Sequence, residues 1–156
     1  MNPKLMSTGA LITLAFGLLA WGVAWATPGA GVTTTILSGP VEFGDLKVMS
    51  DSETNKVKID MKGGSDVYIV HNLVVPGGHT GWHSHPGISF VTVRAGTATE
   101  YSGDDPTTPN VYQAGSGFVE GAGHAHIIRN EGTVNLELVA FQIVPKGAVI
   151  SPGLTV

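Results

Sequence analysis

The sequence predicts an all-β barrel or sandwich. No stretch after residue 30 keeps a 3.6-residue apolar period, so amphipathic helices find no support. Short β-rich runs recur instead, each broken by Gly, Pro, Asn or Asp. The 22 Gly and 9 Pro among 156 residues supply the turns that so many short strands need.

The elements follow in order. Val32–Leu37 is Thr-rich and reads as an arm or edge strand. Val41–Met49 and Lys56–Met61 are strands; in the second, Val57, Ile59 and Met61 alternate with Lys58, Asp60 and Lys62, so one face is wet. Asp66–Val75 is a longer strand ended by Pro76-Gly77-Gly78. Ile88–Arg94 turns at Ala95-Gly96 into Thr97–Tyr101, and Ser102 to Pro106 is dense in turn formers. Short strands follow near Asn110–Gln113, Gly117–Val119 and Ala125–Arg129. Thr133–Val144 is the last long strand, and Pro145-Lys146-Gly147 opens an irregular tail. The divisions expected are a signal segment at 1–26, a flexible arm or edge strand at 27–40, a barrel at 41–145 and a tail at 146–156.

Residues 1–26 have the form of an exported protein's signal peptide. Lys4 is the only charge, an apolar run extends from Ala10 to Trp25, and Ala24-Trp25-Ala26 is the small-x-small pattern read by a signal peptidase. The expected location is periplasmic or secreted. The alternative is an uncleaved membrane anchor, since the run approaches bilayer-spanning length. Membrane contact is expected only through that segment.

Composition excludes several functions. A formal charge of −4 argues against nucleic acid, which requires clustered Lys and Arg. Ample apolar content at 13% charged residues argues against disorder. With no Cys, there are no disulfides, no thiolate zinc site and no Cys nucleophile. Any metal is left to His, carboxylates or amides.

Five of the six His lie between residues 79 and 126. They fall in His79-Thr80-Gly81-Trp82-His83-Ser84-His85-Pro86 and Gly123-His124-Ala125-His126. On a strand His83 and His85 share a face, because side chains alternate with period two. Two imidazoles side by side, joined by a third from another strand, can hold a divalent metal with open positions left for a ligand.

The spacing of these residues resembles that of the cupins. Gly77, five residues, His83-Ser84-His85, three residues, Ser89, six residues and Gly96 parallels the first cupin motif. Gly115, five residues, Gly121-Ala122-Gly123, two residues, His126, three residues and Asn130 parallels the second. The chain looks most similar to small exported bacterial single-domain cupins with a Gly-Trp-His-Ser-His-Pro core. The resemblance implies a jelly-roll barrel, or double-stranded β-helix, with one divalent metal near its mouth. It implies His83, His85 and His126 as ligands, a small-molecule substrate or ligand, and pairing into a homodimer. Ser89 stands where the family usually places a metal-binding Glu, and Gly121 replaces its turn Pro. The site expected is therefore three neutral His around an uncompensated divalent charge, which favours an anionic ligand. Fe, Mn, Ni, Cu and Zn all accept imidazole.

Other residues carry weaker expectations. His79 and Glu120 are alternatives for the missing ligand, although Glu120 reads first as a solvated turn residue. His124 is placed better to orient a ligand than to be one, and His71 reads as an ordinary packed or edge His. Trp82, Phe90, Phe118, Phe141 and Gln142 are candidates to line a pocket, with core packing as the plainer reading. Two functions follow. One is a metal-dependent dioxygenase or lyase acting on a small oxygenated or anionic molecule, similar to the three-His cysteine dioxygenase and some diketone- and gentisate-cleaving enzymes. The other is a non-enzymatic metal or small-ligand binding protein of the cell envelope.

Overall fold

A computed structural model describes residues 26–148 and 150; the segment read as a signal and most of the tail lie outside the described residues. Ten strands make up the described chain: β1 (Ala30–Phe43), β2 (Leu46–Asp51), β3 (Lys56–Met61), β4 (Ser65–His79), β5 (Ile88–Ala95), β6 (Thr97–Ser102), β7 (Asn110–Gln113), β8 (Gly117–Glu120), β9 (His126–Arg129) and β10 (Leu136–Pro145). All pairings are antiparallel, and the principal sheet runs β7-β6-β9-β4-β10-β5-β8. The hairpin β2-β3 forms a separate two-stranded ribbon.

Strand β4 joins the two ends of the barrel. β1 lies along one of its edges from Phe43↔Ser65 to Ala30↔His79. β10 takes the other edge from Pro145↔Ser65 to Leu136↔Val74, and β9 takes over at His79↔Arg129. The strand therefore runs through Pro76-Gly77-Gly78, where the sequence predicted its end. Glycine explains the continuation: a Cβ on Gly78 would sit 2.9 Å from the carbonyl oxygens of Ala30, Gly31 and Val75. Only a bare backbone permits β1 to approach so closely. The expected strand Val41–Met49 is divided, since Val41–Phe43 continue β1 across the expected division at 40/41 and Gly44-Asp45 separates them from β2. Further boundaries differ as well. β10 starts at Leu136, because residues 131–135 are exposed. β8 includes Glu120, which pairs in register with Ser89 and so is a strand residue.

The inner face follows the period-two pattern closely. Val70 and Val74 of β4, Val91 and Val93 of β5, Phe118 of β8, and Leu136, Leu138, Ala140 and Val144 of β10 are buried in one cluster. At one end of the barrel the same inward positions turn polar. Val93 and Val91 are followed by Ser89, Leu138 and Ala140 by Gln142, and Phe118 by Glu120. Burial of the apolar positions stabilises the fold at roughly 25 cal/mol per Å². The polar positions mark where the barrel holds something other than its own core.

Candidate metal centre

The two His-bearing segments are hydrogen-bonded to each other. His83 N donates to the His126 carbonyl at 2.9 Å, and His126 N donates back to His83 at 2.8 Å. Gly77 N and Asn130 N are tied to Asn130 O and Gly78 O at 2.8 and 2.9 Å. Gly123 N donates to His85 O at 2.9 Å. The Asn130 side chain is almost fully buried and locks the far end of this ladder. Its Nδ2 donates to the Val74 and Val134 carbonyls, both at 2.8 Å, and its Oδ1 accepts from Gly132 N at 3.1 Å.

This pairing gathers three imidazoles. Ring centroids lie 4.3 Å apart for His83 and His126, 5.2 Å for His85 and His126, and 6.4 Å for His83 and His85. Each ring is held by a nearby carbonyl: His83 Nδ1 by Gly81 O at 3.0 Å, His85 Nδ1 by Gly87 O at 2.7 Å, and His126 Nδ1 by His124 O at 2.9 Å. A carbonyl can only accept, so each Nδ1 carries the proton and each neutral ring keeps its Nε2 lone pair free for the site.

Glu120 completes the group and corrects its reading as a solvated turn residue. It is 9% exposed, with Oε2 3.2 Å from His85 Nε2 and Oε1 3.1 Å from His126 Nε2. The register explains its arrival. Glu120 on β8 is the cross-strand partner of Ser89 on β5, the position where a carboxylate was missing. One strand over, the acid reaches the same space. Ligand atoms of His85, Glu120 and His126 all lie within 4.8 Å of one another, and His83 flanks this set.

Electrostatics follow from the packing. Burial pushes the Glu120 carboxyl up, but the imidazoles of His126 and His85 beside it overcome this and hold it at about 2. Burial lowers His126, while Glu120 outweighs it and raises the imidazole above its ordinary value. His83 is held below its ordinary value, first by burial and then by the charge of His126. Although Glu120 Oε1 is close to His126 Nε2, the two are not aligned as a hydrogen bond, and Nε2 is buried without one. The Nε2 atoms of His85 and His126 and the Glu120 carboxylate converge on one buried space, and Nε2 protons hold the acid to the rings until a cation displaces them. A cation suits that donor set, and N,O ligation of this kind fits a first-row divalent metal.

The other predicted residues are placed elsewhere or differently. The His124 ring is exposed, 3.8 Å from Asp104, and its backbone carbonyl performs the orienting role. His79 Nδ1 accepts from Gly81 N at 3.1 Å and does not line the cavity. His71 is part-buried, 3.5 Å from Glu137. Ser89 and Gln142 line the cavity beside the ligands. Trp82 does not; its backbone N–H donates to Thr27 Oγ1 at 2.7 Å. Phe118 is core and stacks on Tyr112. Phe90 and Phe141 are 45% and 41% exposed on the outer face, beside hairpin β2-β3. They alternate with the inward Ser89 and Gln142, so they cannot share the pocket.

A barrel of antiparallel strands with paired His motifs and an acid at one end defines a jelly roll with a potential metal site. The family model for the cupin domain matches residues 71–142, which contain every one of these side chains. That segment is a cupin domain. No curated protein matches the sequence. Among solved structures it is similar to a cupin superfamily protein of Desulfitobacterium hafniense, at 13% identity over 72% of this chain and 77% of that one, with a TM-score of 0.49. It is also similar to the cupin domain of an XRE-family transcriptional regulator of Enterobacter cloacae, at 14% identity over 74% and 97%, TM-score 0.48. A predicted oxalate decarboxylase of Thermotoga maritima matches at 19% identity over 53% and 83%, TM-score 0.44.

Proposed function

We propose that this chain is a metal-dependent cupin holding one divalent ion through His83, His85, Glu120 and His126, and that it acts on a small oxygenated or anionic molecule. The observation that carries this reading is the buried Glu120 carboxylate beside His85 Nε2 and His126 Nε2, with a third Nδ1-anchored ring, His83, 4.3 Å from that of His126. When bound, the metal would supply Lewis acidity and a template with open positions for dioxygenase or lyase chemistry. The chain's own residues orient the ligands. A specific observation favours the alternative of a non-enzymatic binder. Among the described residues, the titratable side chains lining the cavity are His83, His85 and Glu120, all within the ligand set, with no separate acid or base beside them.

Titration of the metal-free protein with Zn(II) or Co(II) tests the reading. One equivalent is expected to bind, and His126→Ala is expected to lose it. Equal retention by the variant overturns the site. The sign of the pH dependence is set by His126. Its pKa is raised, so protons compete with the metal for this ring at a higher pH than for an ordinary imidazole, whereas Glu120 stays ionised down to about 2. Affinity should fall as pH drops through the His126 value, with proton release seen calorimetrically in two buffers.

Export is part of the same proposal. Thr27 follows the Ala-x-Ala pattern and, among the described residues, is the first bonded to the body, its N–H donating to Trp82 O at 2.9 Å. Cleavage there would leave the barrel whole, and intact-mass measurement of protein recovered outside the cytoplasm should give a chain beginning at Thr27. Full-length protein retained in the membrane would favour the anchor.

A further inference from the structure

We propose that Ser89 and Gln142 form, beside the metal ligands, a subsite for a short monocarboxylate of the size of acetate; this rests on the metal reading above. Glu120, Ser89 and Gln142 are successive cross-strand partners on β8, β5 and β10, a single inward row. Ser89 is fully buried and its Oγ has no hydrogen-bond partner; Gln142 Oε1 is likewise buried and unpartnered. Both border a cavity of about 50 Å³ that is also lined by His83, His85 and Glu120. An unpaired buried polar atom carries a large desolvation penalty, which a fitting ligand removes.

Three properties of the cavity define that ligand. The first is charge. Three neutral imidazoles and one carboxylate around a divalent ion leave one positive charge, which one monoanion neutralises. The second is hydrogen bonding. The Ser89 hydroxyl is a donor, and the Gln142 side-chain amide offers NH2 once its two ends are exchanged, an assignment set by the partner it meets. The third is size and wall chemistry. About 50 Å³ corresponds to roughly three to five water-sized positions. Val70, Val91, Leu138 and Ala140 form an apolar wall next to the polar row, deeper along the barrel on β4, β5 and β10. A carboxylate facing the metal and the two donors, with a methyl group against that wall, satisfies all three.

The test uses Co(II)-loaded protein titrated with acetate, formate and butanoate, read by the Co(II) visible bands and by calorimetry. Acetate is expected to change the bands saturably, and butanoate to bind at least about tenfold more weakly for want of room. Ser89→Ala and Gln142→Met should each weaken acetate by about tenfold without weakening Co(II) binding. Gln142→Glu, nearly the same shape with a negative charge, should abolish acetate binding. If Co(II) itself fails to bind, the metal reading falls and the subsite with it. If Co(II) binds but acetate leaves the bands unchanged, or binds all variants equally, the subsite alone is overturned.

Discussion

Glu120→Gln is expected to lower the affinity for Co(II) or Zn(II) by on the order of 100-fold or more, since even outer partners of metal ligands are worth 10–100-fold. The amide keeps the shape of the side chain and removes its charge, so the loss reads the carboxylate and not packing. Isothermal titration of the metal-free protein measures it. Unchanged affinity would show that Glu120 merely pairs with His85 and His126. A rescue distinguishes ligation from indirect effects. Ser89 and Glu120 are directly opposed across β5 and β8, and opposed positions on one face lie about 5 Å apart at Cβ. The double variant Ser89→Glu, Glu120→Ser should therefore regain most of the affinity that Glu120→Ser loses, by returning the acid to the position the cupin motif usually gives it.

That exchange shows what the sequence could and could not disclose. Period-two alternation made the strands and the sidedness of His83 and His85 legible, because it is a local property. It also held the information that Phe141 faces away from Gln142 and Phe90 away from Ser89, yet all four were grouped as residues of one pocket or site. Glu120 had a local signal too. It is two residues beyond Phe118, so an inward Phe118 implies an inward Glu120; the following Gly121 drew it into a turn instead. What no local pattern contains is that Glu120 lies opposite Ser89. Register is set by long-range pairing, and the compensation between a lost and a gained carboxylate exists only there. The carbonyl anchors on the three rings are invisible for a different reason: any residue type supplies a carbonyl, so Gly81, Gly87 and His124 leave no side-chain signature of this role.

Gly87→Ala is expected to destabilise the barrel by about 3 kcal/mol or more, the upper range for forced overpacking. The glycine excess was read as the requirement of turning a small barrel, but Gly87 answers to close approach. Its φ lies outside the left-handed region, so no turn conformation demands glycine there. A Cβ at this position would instead run into the Ile143 carbonyl oxygen and lie 2.7 Å from Val144 Cα, both backbone atoms of β10 that cannot rotate away. Either β10 separates from the start of β5 or residue 87 shifts. The second route moves the Gly87 carbonyl, which holds His85 Nδ1 at 2.7 Å. Protein that remains folded should consequently bind metal about 10- to 100-fold more weakly, the cost of losing a ligand's orienting partner. Urea unfolding of the metal-free protein and calorimetric metal titration separate the two effects. Gly44→Ala is the control, since nothing lies within 4 Å of a Cβ there, and it should stay within about 0.5 kcal/mol of the parent. Equal stability of the two variants would mean that β10 yields to the added methyl. Destabilisation with metal affinity intact would mean that the Gly87 carbonyl does not fix the ring.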